Sequence, residues 1–278
     1  MTVGQVLDAS TKYLGGKGVP SPRVDAEHLV ARALDLSRLD LYLQHDRALT
    51  EPELAVAREL VRRRGAREPL AYVLGDWGFR RLTLLTDRRA LIPRPETEIV
   101  VERCLTLLDG LDAPEVLDVG TGSGAIALAI ADESPGARLT AVDVSKDALA
   151  LAAENVERTG LGERVELVEH DLTTGLPGGP YDLVVSNPPY VAPEELDSLD
   201  PEVRDWEPRP ALVGCGATEA IVRAAPLVLR DAAPLVLEVA DGTAEAVAAL
   251  LGTAGFTEVA RTPDLAGRDR VVEGRWAS

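Results

Sequence analysis

Over the first 75 residues the apolar positions recur at helical spacing. Val3, Val6, Leu7 and Leu14 make one stripe, and Val24, Leu29 and Leu34 make another. Ser21-Pro22 predicts a helix start, with the Ser21 hydroxyl as N-cap and Pro22 in the first turn, where no N–H is needed. Thr50-Glu51-Pro52-Glu53 fits a capping box. The helix behind it carries Leu54, Ala57, Leu60 and Val61 and is expected to end near Gly65. Residues 1–75 are therefore expected to form a compact helical domain. The pattern changes over 76–92, where Trp77, Phe79, Leu82, Leu84 and Leu85 lie among Gly, Arg and Thr. This predicts a short β-hairpin linker. Pro93-Arg94-Pro95 breaks the chain, and Pro95 can open a helix running to about Leu108.

From residue 115 short apolar runs alternate with amphipathic ones. Strands are expected at 115–119, 139–142, 165–168, 183–186 and 235–239, with two more near 256–261 and 270–275. Helices are expected at 123–132, 146–158, 219–229 and 244–251. Strand and helix in turn argue for an α/β domain over 93–278, a parallel sheet covered on both faces.

Composition narrows the function. No run approaches the roughly 20 apolar residues of a bilayer span, and the N-terminus has no basic region ahead of an apolar core. Neither a membrane association nor a signal peptide is expected, and a cytoplasmic location is. Cys104 and Cys215 lie far apart, without CxxC spacing or a His cluster. No metal site is expected, and both are read as buried free thiols in a reducing compartment. Residues 1–75 carry 11 basic and 10 acidic side chains, whereas 76–278 carry 18 and 36, so the whole of the negative net charge of −17 lies in the larger part. Such a field disfavours stable nucleic-acid binding. Arg62-Arg63-Arg64 with Arg67 is a basic cluster in the first part, either a protein-contact patch or a solvated helix face.

Three segments carry candidate chemistry. Val116 to Val119 runs into Gly120-Thr121-Gly122-Ser123-Gly124 ahead of a helix. Glycines let the backbone approach a ligand, and the helix offers free N–H groups, which points to a nucleotide-like ligand. Asp143 ends the next strand, 23 residues after Gly120, where a carboxylate can accept both hydroxyls of an adenosine ribose. Capping the following helix is its other reading, but Ser145 serves that purpose itself. Asp171 follows the third strand and could meet an adenine edge, with Leu172 packing on the ring. The third segment is Ser186-Asn187-Pro188-Pro189-Tyr190 at the end of an apolar strand. Two prolines remove two donors and leave carbonyl acceptors. The Asn187 side-chain oxygen and the Pro188 carbonyl can both accept from one planar NH2, on which Tyr190 can stack. The segment suits an amide or amino-base nitrogen.

DVGTGSG, VDVS and SNPPY together resemble the S-adenosylmethionine-dependent methyltransferases of exocyclic and amide nitrogens. More closely, the chain resembles the release-factor-specific protein-(glutamine-N5) methyltransferases, the PrmC/HemK family. Leu91-Ile92-Pro93-Arg94-Pro95-Glu96-Thr97-Glu98, Glu207-Pro208 with Ala211-Leu212, and Ala266-Gly267-Arg268-Asp269-Arg270 match further family segments. Asp241-Gly242-Thr243 departs from the Gln expected beside the glycine. The resemblance implies a Rossmann-like catalytic domain and a small N-terminal helical domain that recognises the substrate, joined by the hairpin. It implies S-adenosyl-L-methionine as cofactor, held by Gly120 to Gly124, Asp143, Asp171, Leu172 and Asn187. It also implies methylation of the Gly-Gly-Gln glutamine of peptide chain release factors, with Asn187, Pro188, Pro189 and Tyr190 at the reacting amide. An adenine-N6 methyltransferase would use the same pocket on a flipped base, but the acidic larger part and the lack of a basic target-recognition domain speak against it. A nicotinamide dehydrogenase has no use for Asn-Pro-Pro-Tyr, and a non-catalytic interaction protein has no use for the intact ligand motifs.

Overall fold

The structure, a computed structural model, describes residues 1–214 and 216–277. Cys215 lies outside the described residues, while Cys104 is a fully buried free thiol. The chain forms two compact units. One takes Met1–Asp76 together with Leu199–Trp206, and the other takes Trp77–Ser198 and Glu207–Ser278. Among the described residues no helix is long and apolar enough to cross a membrane, and no cluster of His, Cys, Asp and Glu is placed to hold a metal.

The first unit is helical: α1 (Val3–Gly16), α2 (Pro22–Leu34), α3 (Arg38–Leu43), α4 (Glu51–Gly65) and α5 (Leu70–Leu74). Val3, Leu7, Val30, Leu41, Leu54 and Ala57 pack in one core cluster, and Leu14, Ala26, Leu29, Val61 and Val73 in a second. The Thr50 capping box is formed in full. Ser21 differs from expectation. Pro22 does open α2, but the Ser21 side chain makes no cap hydrogen bond, because its backbone (φ −123°, ψ 61°) leaves the extended geometry that aims a cap hydroxyl at the helix amides.

The arginine cluster is engaged in ion pairs, with Arg62 on the exposed side and Arg64 buried. Arg62 pairs with Glu59 at 2.6 Å and Arg63 with Glu68 at 2.5 Å. Arg64, 5% exposed, pairs with Asp25 at 2.7 Å and with Glu202 at 2.9 Å. Arg67 meets the same Glu202 at 2.5 Å. Glu202, 135 residues beyond Arg67 in the chain, thus meets two of the four arginines within the helical unit.

From the boundary at Asp76 onward, β1 (Asp76–Phe79) and β2 (Leu82–Leu85) pair as a two-stranded sheet. α6 (Thr97–Leu108) follows the proline segment. Then come β3 (Glu115–Val119), α7 (Ala125–Glu133), β4 (Arg138–Asp143), α8 (Lys146–Thr159), β5 (Val165–Glu169) and β6 (Leu183–Ser186). Strands β7 (Pro234–Glu238), β8 (Phe256–Pro263) and β9 (Asp269–Trp276) complete a seven-stranded sheet of order β5-β4-β3-β6-β7-β9-β8. The first five neighbours run parallel, and β9 is antiparallel to both β7 and β8. Alternation along β3 explains the layers. Val116 shares a core cluster with Val100 of α6 and Leu128 of α7, whereas Leu117 and Val119, on the other face of the sheet, share one with Ile221 and with Leu235 and Leu237 of β7. The order reverses at β3, which opens a crevice at the carboxyl ends of β3, β4 and β6.

Two helices differ from the sequence expectation. α7 begins at Ala125 and not at residue 123, because Gly124 sits at φ +83°, outside helical space. The helix expected over 219–229 spans Ala217–Ala224 and gives way to a 3-10 turn at Ala225–Leu227. Pro226 ends it, since its ring and missing N–H cannot continue the ladder.

Candidate active site

A cavity of about 280 Å³ opens at the switch point. Its floor is the glycine turn. Gly120 N–H and Thr121 N–H both donate to the Val142 carbonyl, at 2.8 and 2.9 Å, which pins the turn to the end of β4. The Thr121 hydroxyl donates to Asp118 Oδ2 at 2.7 Å. Asp118 is fully buried beneath the turn; burial pushes its carboxyl up to about 7, and among the described residues Oδ1 has no hydrogen-bond partner. Gly120 lies at φ +73°, and a Cβ built on it would meet nothing within 4 Å. The turn therefore leaves open space where a ligand would lie.

Asp143 lines the cavity, but its oxygens are already engaged. Gly122 N–H donates to Oδ2 and Ser145 N–H to Oδ1, each at 2.9 Å. Ser145 does cap α8, accepting from Ala148 N–H at 3.2 Å. Asp143 is thus not spare, as the sequence reading had it: it braces the turn and offers only the remaining lone pairs to a ligand. Asp171 and Leu172 line the far wall. Asp171 accepts from Thr173 N–H at 2.8 Å, and that bond holds its carboxyl below its ordinary value.

The opposite wall carries Ser186, Asn187, Pro188 and Pro189. Ser186 is fully buried and its hydroxyl donates to the Val119 carbonyl at 2.7 Å, tying β6 to the end of β3. The Asn187 NH2 group donates to Thr97 Oγ1 at 3.4 Å, and the Thr97 hydroxyl donates in turn to Glu238 Oε2 at 2.6 Å. Among the described residues nothing donates to Asn187 Oδ1 or to the Pro188 carbonyl. Pro189 is held from behind by Gly214, where an added Cβ would come within 2.1 Å of the Pro189 carbonyl oxygen. Tyr190 is 42% exposed and is not among the residues lining the cavity.

Several lining residues carried no assigned role in the sequence. Residues 89–94 and Thr97 form one side of the cavity. Arg94 pairs with buried Glu207 at 2.5 Å, and Ile92 N–H donates to the same carboxylate at 3.4 Å. Burial raises the Glu207 carboxyl and Arg94 opposes that shift. Glu238, 3% exposed, is pushed up to about 7 by burial against the lowering effect of the Thr97 bond. For Leu91 to Arg94, Thr97 and Glu207 the signal was the family segment from Leu91 to Glu98 and the Glu207-Pro208 pair; Glu238 carried none.

The residues present fit an adenosine-bearing sulfonium ligand. Open space lies over Gly120, and Asp143 and Leu172 both line the cavity, where they would offer such a ligand acceptors for hydroxyls and an apolar contact.

Residues 5–75 match the PrmC N-terminal domain, and residues 99–199 match the methyltransferase small domain. The release factor glutamine methyltransferase of Geobacter sulfurreducens is 42% identical, covering 99% of this chain and 96% of that protein. That of Chlorobaculum tepidum is 43% identical, covering 97% and 95%. Among solved structures, the Thermus thermophilus 16S rRNA N2 G1207 methyltransferase superposes with a TM-score of 0.53 at 18% identity, covering 72% of this chain and 49% of that one, a likeness of fold alone. With such identity over nearly the full length of both chains, this protein belongs to the release factor glutamine methyltransferase family.

Proposed function

We propose that the chain transfers a methyl group from S-adenosyl-L-methionine to the side-chain amide nitrogen (N5) of the glutamine in the Gly-Gly-Gln motif of peptide chain release factors. The observation that carries this reading is a pair of acceptors at the cavity wall, Asn187 Oδ1 and the Pro188 carbonyl, to which nothing donates among the described residues. A primary amide has two N–H bonds in one plane, and two acceptors match them.

Gly120 to Gly124, Asp143, Asp171 and Leu172 are assigned to the cofactor. When bound, it supplies an activated methyl group on a positively charged sulfur. An amide nitrogen is a poor nucleophile because its lone pair is delocalised into the carbonyl. Hydrogen bonds from both of its N–H groups to Asn187 and Pro188 orient the nitrogen and raise its electron density. Alignment of the reacting atoms then supplies much of the rate. Pro188 and Pro189 keep the turn rigid, so the acceptors are set before substrate arrives. Tyr190 is assigned to the rim, where it can close over the amide plane. The methylated nitrogen is strongly acidic and gives its proton to solvent. The helical unit is assigned to recognition of the release factor. An adenine-N6 activity on nucleic acid is disfavoured by the net charge of −17 and by the relatives' names.

The test is incubation with methyl-labelled cofactor and full-length release factor. Label is expected on the glutamine of the Gly-Gly-Gln peptide by tandem mass spectrometry, and none on a Gln→Glu substrate or on duplex DNA. Label on DNA, or none on the glutamine, overturns the reading.

A further inference from the structure

We propose that Glu238, acting through Thr97, is a positioning residue that sets which end of the Asn187 amide faces the substrate. The inference rests on the amide-methylation reading above and deepens it.

An amide side chain has an acceptor end and a donor end of nearly the same shape, and packing alone scarcely distinguishes them. Only the acceptor end can take a hydrogen from a substrate amide. What distinguishes the ends here is a hydrogen-bond chain with a fixed direction. An ionised carboxylate accepts only, so Thr97 must give its single hydroxyl hydrogen to Glu238, as it does at 2.6 Å. The Thr97 oxygen is then left with acceptor capacity alone. Asn187 must therefore turn its NH2 group toward Thr97, at 3.4 Å, and its Oδ1 toward the cavity. Thr97 is 4% exposed and Glu238 3%, so water has little access to the chain and cannot readily break its direction.

Protonation of Glu238 removes the direction. Its O–H can then donate to Thr97, whose own hydrogen is released toward Asn187 Oδ1. The amide can turn over and present NH2 to the substrate NH2, donor against donor. Burial and Glu96 push the Glu238 carboxyl up to about 7, against Thr97, Arg270 and Arg94, so this change falls within the working range. Glu96 and Arg94 come from the turn before α6, Arg270 from β9, and Tyr190 from the loop after β6 also feels the Glu238 charge. The form that holds Asn187 in its accepting pose is the ionised one. Transfer should therefore be lost as pH falls through the Glu238 pKa.

The experiment is single-turnover methyl transfer to full-length release factor, with saturating cofactor, between about pH 6 and 9, alongside calorimetric cofactor affinity. The wild-type rate is expected to fall on the acid side of about pH 7. Thr97→Ser keeps the hydroxyl and should keep both rate and acid limb. Thr97→Val keeps the shape without the hydroxyl. It should slow transfer about tenfold or more, the scale of one lost hydrogen bond that fixes the direction of the amide, with cofactor affinity nearly unchanged. Glu238→Gln should abolish the acid limb. A wild-type rate in Thr97→Val, or an acid limb that survives in Glu238→Gln, overturns the proposal, and the Thr97 pair decides it even if Glu238→Gln does not fold. Absence of transfer by the wild-type chain itself overturns the functional reading and this inference with it.

Discussion

Asn155 grips the backbone of Leu85 from both sides. Leu85 N–H donates to Asn155 Oδ1 at 2.7 Å, and Asn155 Nδ2 donates back to the Leu85 carbonyl at 3.2 Å. The same Nδ2 donates to the Ser123 carbonyl at 2.9 Å. One fully buried side chain on α8 thus joins the second hairpin strand to the glycine turn. Asn155→Leu fills the space but leaves three backbone groups without partners, each worth about 1–3 kcal/mol when buried. Denaturant unfolding should show a loss of at least about 3 kcal/mol, with weakened cofactor binding. Unchanged stability would mean the hairpin is held by other contacts.

Asp143 braces the glycine turn as well as facing the ligand space, so its removal has two effects. Asp143→Ala frees Gly122 and Ser145 N–H and removes the oxygens proposed to meet the cofactor. Hydrogen bonds to a charged group contribute about 1.5–3 kcal/mol, so cofactor affinity should fall by tenfold or more, roughly 1.4 kcal/mol. Isothermal titration calorimetry measures this directly. An affinity within twofold of wild type would remove Asp143 from the cofactor site.

Asn187→Ala deletes the acceptor assigned to the substrate amide and leaves the glycine turn untouched. Loss of one preorganised polar contact to a transition state typically slows reaction by about 10²–10³. The single-turnover rate should drop by that much, while cofactor affinity changes little. A rate within a few-fold of wild type would sink the assignment of the Asn-Pro-Pro-Tyr turn to the amide.

Asp118 gives a pH signature in stability. Burial pushes its carboxyl from 3.8 to about 7, so between those values the folded chain holds a proton that the unfolded chain releases. Stability then falls as pH rises through this window and is level above it. The slope is at most about 1.4 kcal/mol per pH unit for one group. Asp118→Asn cannot titrate, so the wild-type-minus-variant difference in unfolding free energy should decline from about pH 4 to about pH 7 and then flatten. A difference independent of pH would show that Asp118 titrates normally.

Much of the site was legible before the fold because its signals are local. A strand that ends in Gly-Thr-Gly-Ser-Gly must turn there, since the left-handed backbone at Gly120 and Gly124 is open to glycine and strained for other residues. Asn-Pro-Pro-Tyr reads as a rigid set of acceptors because proline chemistry is written in the residue itself. Where local reading failed, a local rule was overlooked, as with Pro226 inside an expected helix, or a backbone angle overrode a good cap residue, as at Ser21.

The sequence by itself determined the alternating α/β unit, the helical first unit, the glycine turn and the acceptor turn, because strand periodicity, helix caps and proline and glycine sterics act over a few residues. Only the tertiary structure decided which buried carboxylate meets which donor. Thr97 and Glu238 are 141 residues apart, Arg94 and Glu207 113, and Arg67 and Glu202 135. A hydrogen bond between such partners leaves no period and no composition in the chain. It exists because folding brings distant segments together, and because each charge, once buried, must find a partner or shift its protonation.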